Sequence, residues 1–289
     1  MKRFGVIGHP IAHSLSPLMH NTAYALLGLD CTYDSFDIAP ESLSDALKDF
    51  ANRGFCGLNV TIPHKERVSL QVHELSDEAR VVGAVNTIRF EGGRLRGSNT
   101  DVYGAEVTLE PYRKSLHGEK VLLLGAGGTS RAIIYALLKR FSPAEIVIAN
   151  RNRERADELM KHFQPHAKSI VLKTSPADKN TLSHVVSDAR LIINATSIGM
   201  PPAIDVSPIG EWAHFHSNQI VFDLIYTPLS TKLLTIAERG GARTISGLEM
   251  FLHQGARSFE LWLGKQMPVE QIRPVIENEL KNRQQDHNE

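Results

Sequence analysis

The segment 120–140, KVLLLGAGGTSRAIIYALLKR, runs without a break from an apolar strand through a glycine turn into a helical pattern. A strand that is apolar on both faces must be covered on both faces, which antiparallel hairpins rarely provide. A strand that turns directly into a helix opens a crossover to a parallel neighbour. Together they predict an open α/β sheet with helices on both sides. The alternation continues with EIVIAN (145–150), the charged helix RERADELMKHF, and then SIVLKT, LSHVVSD, LIINAT, IVFDLIY, TKLLTIAERGG and RTIS.

The first hundred residues alternate in the same way but belong to a different sheet. RFGVIG reads as a strand. Ser16-Pro17 starts a helix, with the proline at the first helical position, and a glycine ends it. CTYDSFDI and GLNVTI are strands, and SLSDALKDFANRG is a helix between them. After the helix LSDEARVVG, AVNTIRFEGGRLRG reads as a hairpin turning at Gly-Gly. The second sheet is complete by about residue 245, yet GLEMFLHQGARSFELWLG and PVEQIRPVIENELKNRQQ follow as two more helices. Their return to the first sheet is the expected arrangement. The predicted fold is two open α/β domains, residues 1–101 plus 248–289 and residues 102–247, the second Rossmann-like. The last four residues, DHNE, are expected to fray.

A chain of 289 residues is long for one core, which agrees with two domains. Lys plus Arg equals Asp plus Glu at 32 each, so no whole-surface field draws the protein to nucleic acid or anionic lipid. Two cysteines, Cys31 and Cys56, make neither a disulfide framework nor a metal site. No apolar run approaches the roughly 20 residues of a membrane span. A cytoplasmic protein without nucleic-acid, membrane or metal partners is expected.

The turn at 125–132, GAGGTSRA, has the context of a dinucleotide fingerprint: strand before, helix after. Gly125 makes the tight turn, and Gly127 lets backbone approach a pyrophosphate. The amides opening the helix, from Ala126 through Gly128 and Thr129, meet the phosphate charge. Ser130 stands where a third glycine is usual. NAD sites commonly end the next strand with an acid for the ribose 2′-hydroxyl. Here Asn150 ends it, and Arg151, Asn152, Arg153 and Arg155 follow. Arginines there attract a 2′-phosphate, so NADP is predicted over NAD. NATSIGM (194–200) lies at the same edge of the sheet, and its Thr196 suits a nicotinamide ribose or pyrophosphate.

In NVTIPHKE, Pro63 fits the first helical position and Lys65 sits in the first turn, where the backbone favours negative charge and a lysine without another task is out of place. Asp101 in GSNTDVYG also stands at a helix start. A lysine and a carboxylate brought from separate loops to one ligand edge form an acid–base pair, which carbonyl reduction requires. A structural salt bridge is the plain alternative. Small polar groups surround the pair in sequence: Ser14, Ser16, Asn59, Thr61, Asn86 and Thr87. Asn59 and Thr61, two apart, are expected on one face of a strand. Asn86 lies among apolar residues, where a buried amide demands a partner. So many hydroxyls and amides point to a polyhydroxylated ligand.

Taken in order, HSLSP, NVTIPHK, GAVNT, NTD, GAGGTSRA, NRN, NATSIGM, DLIYTP and FLHQGA make the chain resemble the shikimate dehydrogenases from residue 3 to about 275. The resemblance implies NADPH-dependent, reversible reduction of 3-dehydroshikimate at its C3 carbonyl, with NADP(H) as cofactor. It implies Lys65 and Asp101 as the catalytic pair and Ser14 and Ser16 on the substrate carboxylate. Thr61, Asn86 and Asp101 would hold ring hydroxyls, Asn59 would line the pocket, and Tyr226 and Gln254 would close it. On the cofactor side it implies residues 125–129 and 150–155, with Leu224 and Gly247 near the nicotinamide and Asp77 as a further contact. Thr196 belongs to the same edge. Asn152 replaces a threonine common in the family. A quinate/shikimate enzyme accepting NAD, and a non-catalytic NADP sensor of the same fold, are the competing readings. Relatives are monomers or dimers, and a homodimer is the expectation here.

Overall fold

The computed structural model describes residues 1–286, which form two compact units: Met1–Gly104 with the chain from Leu252 onward, and Ala105–Phe251. In chain order the first segment contains β1 (Lys2–Gly8), α1 (Ser16–Leu26), β2 (Cys31–Asp37), α2 (Leu43–Asn52), β3 (Gly57–Val60), α3 (Lys65–Ser69), β4 (Glu74–Leu75), α4 (Asp77–Val82), β5 (Thr87–Glu91) and β6 (Arg94–Ser98). Then come α5 (Asp101–Leu109), α6 (Arg113–Leu116), β7 (Lys120–Leu124), α7 (Gly128–Ala136), β8 (Glu145–Asn150), α8 (Arg153–Phe163), β9 (Val171–Pro176) and α9 (Lys179–Asp188). The chain closes with β10 (Leu191–Asn194), β11 (Ile220–Asp223), α10 (Lys232–Arg239), β12 (Arg243–Ile245), α11 (Leu248–Leu263) and α12 (Val269–Asp286).

The first unit holds a six-stranded sheet in the order β2-β1-β3-β5-β6-β4. β1 runs parallel to β2 and β3, and the β5–β6 hairpin is antiparallel to β3. Gly92 and Gly93 both have positive φ (56° and 75°), which a two-residue turn matching strand twist requires. One face of the sheet buries Ile7, Leu58, Val60 and Ile88 against Leu43, Leu47 and Phe50 of α2. Phe4, Tyr24, Tyr33, Phe259 and Trp262 form an aromatic cluster that α11 brings back to this unit. Trp262 Nε1 donates to the Ile88 carbonyl at 2.9 Å, and a Cβ on Gly57 would stand 2.2 Å from that nitrogen. A glycine is therefore what lets the returning helix seat.

The second unit holds six parallel strands in the order β12-β11-β10-β7-β8-β9. This is the doubly wound arrangement, with strand order reversing between β7 and β10, and ligands of such sheets bind outside the carboxyl ends of the strands at that reversal. Leu122, Leu124, Val147, Ile192 and Val221 are buried in its core.

The two α/β domains expected from the alternation are present. Four local expectations change. Thr61 lies beyond β3, so it does not share a strand face with Asn59. Pro63 is not the first helical residue: the Ile62–Pro63 bond is cis, His64 is the cap, and α3 opens at Lys65. Ser16 is the first residue of α1 and does not cap it by its side chain. Asp286 closes α12, while the rest of the tail expected to fray, 287–289, lies outside the described residues.

Candidate active site

Within the first unit, hydrogen bonds join Lys65, Asp101, Asn86, Thr87, Asn59 and Gln254 of the predicted polar residues. α3 and α5 each open on a charge, and the two charges meet: Lys65 Nζ donates to Asp101 Oδ2 at 2.6 Å. Both side chains are nearly enclosed, 12% and 6% exposed. Asn86 Nδ2 donates to the other carboxylate oxygen, Oδ1, at 2.8 Å. The orientation of that amide is forced, because Asn86 Oδ1 accepts from the Thr100 backbone N–H at 2.6 Å and only its nitrogen remains for Asp101. Asn86 Nδ2 also lies 3.4 Å from Gln254 Oε1 on α11.

Behind this pair is a buried array of hydroxyls and amides. Tyr33 Oη donates to Asn59 Oδ1 at 2.7 Å. Asn59 Nδ2 donates to Ser258 Oγ at 2.9 Å and to the Asn86 carbonyl and Thr87 Oγ1, each at 3.2 Å. Ser258 Oγ shares hydrogen bonds with Thr87 Oγ1 at 2.8 Å and Thr100 Oγ1 at 3.1 Å. Such satisfied networks hold their members in one orientation. Tyr33, Thr100 and Ser258 had no signal in the sequence, since a lone hydroxyl in a helix or strand does not reveal which way it faces. At the start of α1, Ser14 Oγ accepts from the Ser16 N–H at 3.3 Å. Thr61 follows β3, its N–H bonded to the Ile7 carbonyl at 2.9 Å. This half of the predicted site can hold a ligand rich in hydroxyls beside an ammonium group.

In the second unit, Gly125 has φ +107°, and a Cβ there would lie 2.9 Å from the Ala195 carbonyl. Gly127 caps α7 without a side-chain bond, and a Cβ on it would meet nothing within 4 Å. The first turn of α7, including Gly128 and Thr129, is thus approached over open backbone from Ala126, which fits a pyrophosphate. Ser130, in the third-glycine position, is fully buried with its hydroxyl unpartnered among the described residues. The turn after β8 is fixed from within: Asn150 Nδ2 donates to the Asn152 carbonyl at 2.8 Å, and Asn152 Oδ1 caps α8 by accepting from the Arg155 N–H at 3.1 Å. Arg151, Arg153 and Arg155 are exposed around that turn, a fit for a 2′-phosphate. Thr196 accompanies the glycine turn, its Cγ2 3.2 Å from the Cβ position of Gly125. Gly247 passes Leu224 so closely that a Cβ would stand 2.1 Å from the Leu224 carbonyl oxygen. Tyr226 stacks on Phe251 with ring centroids 4.4 Å apart. Asp77, in the first unit, is exposed in the first turn of α4, next to the Ser76 cap.

Among the described residues no group of three or more His, Cys, Asp or Glu could hold a metal ion, and no helix is long and apolar enough to cross a membrane.

A dinucleotide-binding parallel sheet in one unit and a buried lysine–carboxylate pair in the other define a nicotinamide-dependent oxidoreductase. Residues 6–88 match the shikimate dehydrogenase substrate-binding domain, 108–224 the shikimate/quinate 5-dehydrogenase family, and 247–277 the shikimate 5′-dehydrogenase C-terminal domain. The chain belongs to the shikimate dehydrogenase family. It is 41% identical over 281 residues to shikimate dehydrogenase (NADP(+)) of Methanopyrus kandleri, covering 96% of this chain and 95% of that one. A crystal structure of a shikimate dehydrogenase in complex with NADP+ superposes with a TM-score of 0.87 at 37% identity, covering 97% and 96% of the two chains. The Thermus thermophilus enzyme in complex with NADP(H) and shikimate gives 0.81 at 36% identity, with 95% and 98% covered.

Proposed function

We propose that this protein catalyses the reversible, NADPH-dependent reduction of 3-dehydroshikimate to shikimate. The observation that carries the reading is the enclosed Lys65–Asp101 pair at 2.6 Å, with Asn86 completing the carboxylate. NADPH, when bound by the glycine turn and the arginines after β8, supplies the hydride. The chain supplies the rest. As the carbonyl carbon is reduced, Lys65 Nζ gives a proton to the oxygen that becomes the alcohol, and in the reverse direction it takes that proton back. Its positive charge stabilises the developing oxyanion before the proton moves. Asp101 holds the ammonium in place and accepts from a ring hydroxyl. Asn86, Thr61 and Asn59 orient the ring, Ser14 and Ser16 bind its carboxylate, and Gln254 and Tyr226 enclose it. Thr196, Leu224 and Gly247 contact the nicotinamide side, and Asp77 is a further cofactor contact.

The family also includes quinate enzymes, so the test is comparative. NADP+ reduction is measured with shikimate and with quinate, each with NADP+ and NAD+. The reading expects shikimate with NADP+ to give the highest kcat/KM by at least about tenfold, roughly the 1.4 kcal/mol of one good contact. A preference for quinate with NAD+ would replace it, and binding of NADP+ without turnover would make the protein a sensor. A cytoplasmic location and a homodimer belong to the same reading, and sedimentation of the purified chain tests the homodimer.

A further inference from the structure

We propose that Asp223 is a positioning residue for the cofactor half of the site, setting the hydrogen-bond direction of the two loops that carry Thr196 and Leu224. The inference rests on the function proposed above and extends it to a residue that neither touches substrate nor belongs to the predicted set.

Asp223 ends β11 and is completely buried. Its oxygens accept from three uncharged donors. Thr231 Oγ1 lies 2.7 Å from Oδ2, Asn194 Nδ2 lies 3.0 Å from Oδ1, and the Ile225 N–H lies 3.1 Å from Oδ1. Burial pushes its pKa up to about 6 despite all three bonds. A carboxylate held only by neutral donors is a costly way to tie two loops together. An amide of the same shape would fill the space without a charge.

What the carboxylate alone offers is that it only accepts. Asn194 must therefore turn its nitrogen toward Asp223, which leaves Asn194 Oδ1 to accept from the Thr196 N–H at 3.1 Å and Thr196 Oγ1 at 2.7 Å. Having given its proton to Asn194, the Thr196 hydroxyl accepts from the Ile198 N–H at 3.1 Å. It can offer a ligand only a lone pair. The second branch runs through the backbone. The Ile225 N–H on Oδ1 fixes the peptide that follows Leu224, the Leu224 N–H bonds the Asn194 carbonyl at 3.0 Å, and the Gly247 N–H bonds the Ile225 carbonyl at 3.0 Å. Every residue of the predicted nicotinamide side in these loops is thus referred to one carboxylate. Thr231 by itself would cap α10, since its Oγ1 accepts from the Leu234 N–H at 3.3 Å; the helix does not need Asp223.

The test compares the full-length protein with Asp223→Asn, Thr231→Val and Thr231→Ser. Thermal unfolding, NADP+ affinity by calorimetry and the KM for shikimate are measured for each. The expected result is a Kd for NADP+ raised about tenfold in Asp223→Asn, with the KM for shikimate within twofold of wild type and Tm within a few degrees. Thr231→Val moves in the same direction by a smaller factor, and Thr231→Ser, which keeps the hydroxyl, behaves as wild type. NADP+ affinity unchanged while Tm falls would overturn the inference, because Asp223 would then only hold the fold. Equal losses for NADP+ and shikimate would overturn it as general loosening. Should Asp223→Asn not fold, the valine and serine pair decides by the same criteria. Wild-type protein that fails to bind NADP+ sinks the proposed function itself, a result distinct from variants that bind as well as wild type does.

Discussion

Lys65 and Asp101 were legible one residue at a time because each contradicts, or exploits, the charge preference of a helix start. Neither position reveals that the other is 2.6 Å away. Replacing Lys65 with Ala removes the proposed proton donor and leaves Asp101 enclosed with an unbalanced charge. General acid catalysis supplies about 10²–10⁴-fold, so kcat should fall by that order while the KM for shikimate stays within about threefold. Steady-state kinetics with NADP+ and shikimate check it, and turnover close to wild type would remove Lys65 from the chemistry. Because an enclosed ion pair is broken, Tm should fall as well, by an amount that Lys65→Met shares. At the other end of the cofactor, Arg151→Ala should raise the KM for NADP+ several-fold more than that for NAD+, since only the former has a 2′-phosphate to lose. Equal effects on both would take the specificity away from Arg151.

At the scale of elements, strands and helices followed from periodicity, because a strand covered on both faces and a helix with one wet face leave different patterns. The short pieces did not. β4 is two residues long and β3 only four, so Thr61 falls off the end of the strand it was expected to occupy. The region 195–219, with neither helix nor strand, is written in turn residues that do not announce their geometry. The return of α11 was inferred from a surplus of helices, but its function in the first unit rests on Ser258, a buried hydroxyl that the sequence does not distinguish from an exposed one. Ser258→Ala removes one partner from each of Asn59 Nδ2, Thr87 Oγ1 and Thr100 Oγ1. A buried donor left short of a partner costs about 1–3 kcal/mol. At roughly 2–4 °C per kcal/mol for units of this size, Tm should drop by about 2–12 °C. With Asn59 less firmly held, the KM for shikimate should rise while that for NADP+ does not. A drop in Tm with both constants unchanged would confine Ser258 to stability.

At the scale of the whole molecule, formal neutrality at pH 7 hides two buried groups that respond to acid in opposite senses. His20 lies flat against Tyr33, ring centroids 4.3 Å apart, and neither of its nitrogens has a partner among the described residues. Full burial holds its pKa down to about 3. Between its ordinary value of 6.5 and 3 the unfolded chain binds the proton that the folded chain refuses, so stability falls as pH falls through that window. Asp223 is the reverse. Its folded value of about 6 lies above the ordinary 3.8, so between those limits the folded chain holds the extra proton and stability rises as pH falls. Each group contributes a slope of up to about 1.4 kcal/mol per pH unit. Between roughly pH 6 and 4 the two offset each other, and removing one exposes the other. Asp223→Asn should therefore lose Tm more steeply than wild type between pH 6 and 5, and His20→Phe less steeply. Melting curves collected at half-unit intervals from pH 7 to 5 read both differences against the same background of exposed carboxylates. Three parallel Tm curves would mean that neither group changes its proton binding on folding, and the unpartnered imidazole and the cation-free carboxylate would then need solvent or partners to keep their ordinary titration.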